Sequence, residues 1–244
     1  MTTIRVMTYN VQHCRGGDGC VDLGRIAEVI AEGAPDLVAL QEIDAGSDDD
    51  QLATLAKRLG MRHYGLPRRG ANAFLSYYPL RGIQEYDLGD GGACLRGDAD
   101  LAGKRLHLFN LRLAPHLGGR RQQIAKLLGP DVLGAASVGG PTLVMGDFAD
   151  LILGAGNFHL TLVLRKARRP LWNATYPSCF PVLGRDRAYL RGELRVVDSS
   201  ILRSAKVRQA SSHLPLILTI QITDPRSYLR VEQLTTGRMK TAPG

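Results

Sequence analysis

Pro141 to Asp150, PTLVMGDFAD, constrains this chain more than any other stretch. Leu143-Val144-Met145 is a short apolar run that stops at Gly146, the pattern of a buried strand. Asp147 follows, a carboxylate just past the end of a rigid element, where α/β and α+β proteins commonly carry chemistry. Alone, Gly-Asp is also ordinary turn chemistry. The pattern recurs, however. The strand at 4–11, IRVMTYNV, ends in Tyr9-Asn10, and the strand at 37–41 ends in Gln41-Glu42. Three apolar strands thus deliver Asn, Glu and Asp at their ends. Oxygen ligands of that kind suit a hard cation such as Mg²⁺.

The rest of the chain supplies layers around these strands. A Gly-rich loop, His13 to Gly19, leads to Asp22, which can cap a helix over 23–33 with Ile26, Val29 and Ile30 on one face. Gly33 and Pro35 stop it. Asp48 to Asp50 place negative charge at the start of a helix to Leu59, which favours its dipole, and Gly60 ends it. From 61 to 111 the pattern becomes strand after strand: 71–78, 81–87, 93–100 and 104–111. A helix follows from Arg120 to Leu128, then the strand at 141–146, then strands at 186–191, 194–203 and 214–222. Residues 151–170 carry no assignable pattern. The order is that of an α+β fold, two packed sheets with outer helices. One domain over 1–223 and a basic tail over 224–244 are expected.

With 244 residues and 44% hydrophobic content, the chain can bury one large core. Its formal charge of +8 suggests an anionic partner: nucleic acid, an acidic membrane surface or a phosphorylated small molecule. Aromatics make up 6% and are not interleaved with Arg and Lys, which disfavours nucleic acid. Cys14, Cys20, Cys94 and Cys179 match no zinc spacing and no CxxC motif, as in a reducing compartment. Cys14 and Cys20 are close enough in sequence to bridge, though nothing requires it. No signal peptide is visible, and apolar stretches such as Leu214 to Thr223 are too short to span a bilayer. A cytoplasmic monomer is the expectation.

Several stretches resemble, in order, the endonuclease/exonuclease/phosphatase family of Mg²⁺-dependent phosphodiesterases. MTYNVQH is similar to the family's opening strand with its Asn, LQEID to its Glu metal-ligand motif, and NAFLSYYPL to its NA-LSRYPL hairpin. GDF at 146–148 is similar to GDFN, DRAYL at 186–190 to the DRIFV strand, and SSHLPLILTI to the closing SDHLP strand. The resemblance implies a four-layered α/β/β/α sandwich of two mostly antiparallel mixed sheets, with the site at one edge. It implies Glu42 as the main ligand of a weakly held Mg²⁺ or Mn²⁺ with Asn10 alongside. It also implies a His213 held by Asp186, an Asp147 that orients the attacking water, and a substrate contacted by Asn10, Asn110 and Arg112.

The departures from the family are equally specific. GDFN has become GDFA, so Ala149 replaces an Asn. The family's NTHL reads Asn110-Leu111-Arg112-Leu113, so Arg112 stands where a His is expected. SDH has become Ser211-Ser212-His213, so Ser212 replaces an Asp. The carboxylate that supports the lost His falls near 90–96, where Asp90 is a shifted substitute. Arg112 can clamp a phosphate but cannot act as a base near neutral pH. Two functions stay open. One is an altered or slow metal-dependent phosphohydrolase acting on a lipid head group, a small phosphodiester or nucleic acid. The other is an inactive relative that binds such a ligand. The retained Glu42, Asp147, Asp186 and His213 tilt the balance to the first.

Overall fold

The computed structural model describes residues 3–46, 50–101, 103–114, 117–149, 158–168, 170 and 172–223. In chain order it runs β1 (Thr3–Asn10), α1 (Leu23–Gly33), β2 (Leu37–Ile43), α2 (Gln51–Leu59), β3 (Arg62–Gly65), β4 (Ala71–Ser76), β5 (Leu80–Gly89), β6 (Gly92–Leu101) and β7 (Lys104–Arg112). It continues through α3 (Leu117–Leu128), β8 (Thr142–Asp147), α4 (Phe158–Val163), β9 (Arg165–Lys166), β10 (Asp186–Arg191), β11 (Leu194–Ile201), α5 (Ala205–Ala210) and β12 (Leu216–Ile222). Two six-stranded sheets result, ordered β11-β12-β1-β2-β4-β3 and β5-β6-β7-β8-β10-β9. Only β1 with β2 and β7 with β8 pair in parallel. The other pairings are antiparallel, so the expected α+β sandwich of mixed sheets is what forms.

Period-2 alternation divides the apolar side chains between two layers. Ile4 and Val6 of β1, Leu37 and Ala39 of β2, Leu106 and Leu108 of β7 and Leu143 and Met145 of β8 fill the space between the sheets. Their neighbours Met7, Tyr9, Val38 and Leu40 face outward instead, under Ile26, Val29 and Ile30 of α1 and Leu52 and Leu55 of α2. Phe109, Leu111 and Val144 do the same on the second sheet, under Ile124 and Leu127 of α3. The α1 helix starts where Asp22 accepts from the N–H groups of Gly24 and Arg25 at 2.8 and 3.1 Å. Asp50 caps α2 through the Ala53 N–H, and Gly60 closes it in the left-handed conformation.

Some boundaries differ from the sequence pattern. β8 continues through Gly146 to Asp147, which pairs with Asp186 of β10 and Arg112 of β7. Gly146 is obligatory there: at φ +146°, a Cβ would lie 2.0 Å from the Leu111 carbonyl oxygen. β3, RHYG, has no apolar alternation of its own and is recruited by pairing with β4. α5 was not expected; Ser204 caps it, and only Val207 and Ala210 are buried. Within the unassigned stretch 151–170, the described residues hold α4 and β9. Asp48, Asp49 and the tail after 223 lie outside the described residues. Cys14 and Cys20 do not bridge; the first is buried and the second exposed. No helix among the described residues is long and apolar enough to cross a membrane.

Candidate active site

Followed toward one end of the sandwich, the inward-facing positions of the central strands change from apolar to polar to charged. β1 reads Ile4, Val6, Thr8, Asn10; β7 reads Leu106, Leu108, Asn110, Arg112; β8 reads Leu143, Met145, Asp147. β10, running the other way, reads Leu190, Ala188, Asp186. The penultimate layer ties the sheets together. Gln41 donates to Asn110 Oδ1 at 2.7 Å and to Thr8 Oγ1 at 3.1 Å. Asn110 donates to the Leu40 and Ala73 carbonyls at 2.7 and 2.9 Å. Asn110, expected to contact substrate, is therefore corrected to an inter-sheet tie. It is 0% exposed, and both ends of its amide are spent on the opposite sheet.

The last layer is ionic. Asn10 Nδ2 donates to Glu42 Oε1 at 3.1 Å and to Asp147 Oδ2 at 3.2 Å. Its Oδ1 accepts from the Gln12 N–H at 3.1 Å, which fixes the orientation of the amide. The carbonyl oxygen that a cation would need thus faces away from the carboxylates. Asn10, expected as a metal ligand, instead holds Glu42 and Asp147 together. Glu42 reaches this position through a bulge between Leu40 and Ile43 and a left-handed backbone at φ +56°. A non-glycine residue there stores about 1–3 kcal/mol, and the bulge turns Glu42 out of the strand's alternation toward the site.

His213, in the turn before β12, has Nδ1 at 2.9 Å from Asp186 Oδ2 and Nε2 at 3.9 Å from Asp147 Oδ2. Tyr176 packs on its ring with centroids 4.9 Å apart. Burial alone would pull the His213 pKa down, but Asp186, reinforced by Asp147, outweighs it and raises the pKa above its ordinary value. Burial alone would likewise push the Asp147 carboxyl up, but His213 and then Arg185 hold it below its ordinary value. The two shifts agree: both favour the ion pair.

Arg185 was not legible as a site residue. Its fork grips Asp147 from Nε at 3.2 Å and from NH2 at 2.9 Å, and its guanidinium lies 4.7 Å from the Tyr176 ring centroid. The signal available in sequence was a basic residue directly before Asp186. Arg112 donates to the Gly91 carbonyl at 3.1 Å and stands 3.8 Å from Glu42 Oε1. Together Glu42, Asp90, Arg112, Asp147 and Arg185 line a pocket of about 330 Å³. Asp186 and His213 lie beneath it, 0% and 2% exposed. The replacements leave traces. Ala149 sits at φ +46°, a conformation that Asn adopts more readily than Ala, and its N–H donates to Asp147 Oδ1 at 2.8 Å. Ser212 Oγ is buried with no hydrogen-bond partner among the described residues.

Asp147, Asp186 and His213 bring ligand atoms within 4.8 Å of one another, a group that could hold a metal ion. Their geometry does not fit a chelate, because Arg185 holds both Asp147 oxygens and His213 holds Asp186. Glu42 fits better: it is a hard oxygen donor on the pocket wall, with its side chain 22% exposed.

The sequence profile of the Endonuclease/Exonuclease/phosphatase family matches residues 7–213. No curated protein sequence matches the chain. Among solved structures, an endonuclease/exonuclease/phosphatase from Beutenbergia cavernae is similar at 21% identity and a TM-score of 0.70, covering 90% of this chain and 72% of that one. The catalytic domain of human Nocturnin, solved with bound sulfate, gives 20% identity and a TM-score of 0.72 over 91% of this chain and 94% of its own. A mannosyl-6-phosphatase from Bacteroides thetaiotaomicron gives 17% and 0.69 over 89% and 99%. At these identities the likeness shows the shared fold.

Proposed function

The chain belongs to the endonuclease/exonuclease/phosphatase family, and from that premise we propose that it is a slow, altered hydrolase of phosphate esters. The family is generally hydrolytic, and its fold serves phosphodiesterase- and phosphatase-type chemistry. One observation carries the reading: the buried Asp186–His213 pair directs Nε2 to Asp147 beneath a pocket walled by two guanidiniums.

A phosphate ester entering the pocket meets Arg112 first, whose fork suits two phosphoryl oxygens. Arg185 exchanges Asp147 for the phosphate, which releases the Asp147 carboxylate to accept a proton from the attacking water. His213, with a raised pKa, holds a proton on Nε2 for a phosphoryl or leaving oxygen, while Asp186 fixes the ring through Nδ1–H. Mg²⁺ or Mn²⁺, held weakly by Glu42 and water, would supply further positive charge to the phosphoryl oxygens. A small phosphoester or lipid head group suits a pocket of about 330 Å³.

A second reading, ligand binding without turnover, is favoured by the pairing of both outer carboxylates with arginine. Hydrolysis of bis-4-nitrophenyl phosphate in Mg²⁺ separates the two. Turnover abolished by Glu42→Ala and reduced by about 10²–10⁴ in His213→Ala is the expected result. Equal, background-level release in all three proteins would leave the binding reading in force.

A further inference from the structure

A larger cleft, of about 860 Å³, opens one step farther along the same two strands. Three residues beyond Asn10 stands His13, and two beyond Glu42 stands Asp44, so its floor lies at most about 10 Å and 7 Å of extended chain from the catalytic pocket. That volume is in the range of small-molecule sites. His13 lines the cleft from the middle of three successive left-handed residues, Gln12, His13 and Cys14, at φ +49°, +57° and +55°. Such a turn persists only where its surroundings determine it. Gln51 ties it down, donating to the His13 carbonyl at 3.0 Å and accepting from the Asp44 N–H at 3.3 Å.

The charges in the cleft divide into committed acids and presented bases. Asp22 and Asp50 spend their carboxylates on helix caps. Asp44, 7% exposed, accepts from the Gly70 N–H at 2.8 Å and meets His13 Nδ1 at 2.8 Å. Nδ1 is therefore the donor, and the Cε1–Nε2 edge of His13 turns over Gly70, within 4 Å of where a Cβ would be. Of the bases, Arg15 donates to the Gly19 carbonyl; Arg69, its side chain 84% exposed, has Nε 3.8 Å from Asp44 Oδ2 and its remaining donors toward the cleft; and Arg58 is engaged by no hydrogen bond or ion pair among the described residues.

We infer that this cleft is a second anion subsite, which takes a phosphate or carboxylate carried at the far end of the substrate, with Arg58 and Arg69 as counter-charges and the Asp44-held His13 as the hydrogen-bonding group. The inference rests on a phosphate ester occupying the catalytic pocket, but its first test does not depend on turnover. The chain has six histidines, and His13→Gln identifies the His13 ring signal by NMR. Inorganic phosphate should shift that signal in the wild-type protein and in Arg112→Ala, and the shift should need at least tenfold more phosphate in Arg58→Ala/Arg69→Ala. A His13 signal that phosphate leaves unmoved, or moves equally in the double variant, overturns the subsite.

The second arm distinguishes a substrate's own anion from a free one. It compares the 4-nitrophenyl ester of thymidine 5′-phosphate with and without a 3′-phosphate. A KM about tenfold lower for the 3′-phosphorylated ester, lost in Arg58→Ala/Arg69→Ala, is expected. A phosphate-responsive His13 with no advantage for that ester overturns the assignment to the substrate. An enzyme that hydrolyses neither ester counts against the hydrolase reading and leaves the NMR result standing.

Discussion

Replacing Arg185 by Met removes both arms of a buried fork at 3.2 and 2.9 Å while keeping much of the side chain's apolar body over Tyr176. Asp147 is 1% exposed, so water cannot replace the lost donors. What remains to Asp147 is the Ala149 N–H at 2.8 Å, the Asn10 amide at 3.2 Å and His213 at 3.9 Å. Breaking a buried ion pair by removing one partner costs about 3–5 kcal/mol. The surviving donors and the charge on His213 place this case near the lower end, about 3 kcal/mol. In a chain of this size that lowers Tm by about 6–12 °C. The cost should shrink when Asp147→Asn accompanies Arg185→Met, because the orphaned charge is then gone; a coupling of about 2 kcal/mol is expected between the two sites. Mg²⁺ should raise the Tm of Arg185→Met more than that of the wild type, since an uncompensated carboxylate then faces the pocket. The assay is urea and thermal unfolding of the four proteins of the cycle, with and without Mg²⁺. A loss under about 0.5 kcal/mol with additive behaviour would refute the claim that Arg185 neutralises a desolvated Asp147.

Two further outcomes follow from the same geometry. Asn110→Ala should cost about 3 kcal/mol, read as a lower urea midpoint at unchanged m-value, because it removes the side-chain donor to the buried Leu40 and Ala73 carbonyls and the nearest acceptor of the Gln41 amide; a loss under about 1 kcal/mol would return Asn110 to the pocket. The raised His213 pKa contributes stability that is complete below its ordinary 6.5 and fades as pH rises through the folded value, so NMR should place that titration above 6.5, and in Asp186→Asn, where burial loses its main opponent, at lower pH; an unshifted titration in the variant would show that Asp186 does not hold the proton on His213.

The sequence disclosed the site's strands and, of its cations, withheld Arg185. Asn10, Glu42 and Asp147 were legible because each ends an apolar run, and the run is what positions it. Asp186 and His213 were legible only through their resemblance to family motifs, since neither has a periodic context of its own. Asn110 was assigned to the substrate through the family resemblance, and only the packing of the opposite sheet shows that its amide is consumed by Leu40 and Ala73. Arg185 was invisible because its partner is 38 residues away and the pairing depends on β8 and β10 aligning Asp147 with Asp186. The bulge at Glu42 was equally hidden, as a left-handed glutamate leaves no compositional trace.

Charge balance joins the replacements to one another. The site holds four carboxylates, Glu42, Asp90, Asp147 and Asp186. It also holds three cations: Arg112, Arg185 and a His213 whose pKa is raised. With the His at 112 and the Asp at 212 that the family resemblance leads one to expect, one fixed positive charge would be absent and one negative charge added, a more acidic site that draws a divalent cation more strongly. Here Arg112 has brought fixed charge to Glu42, and Ser212 has removed a carboxylate beside His213. With Arg112 and Arg185 set against these carboxylates, the site has less electrostatic reason to bind Mg²⁺ alone than one without Arg112, and its two outer forks are already shaped for a phosphate. On the proposed reading, a bound phosphate would draw Arg112 and Arg185 off the carboxylates, and Glu42 would then be free to hold a divalent cation beside it. On the proposed reading, Arg112 and Arg185 would carry charge stabilisation that a metal ion would otherwise supply, at the expense of a general acid–base group.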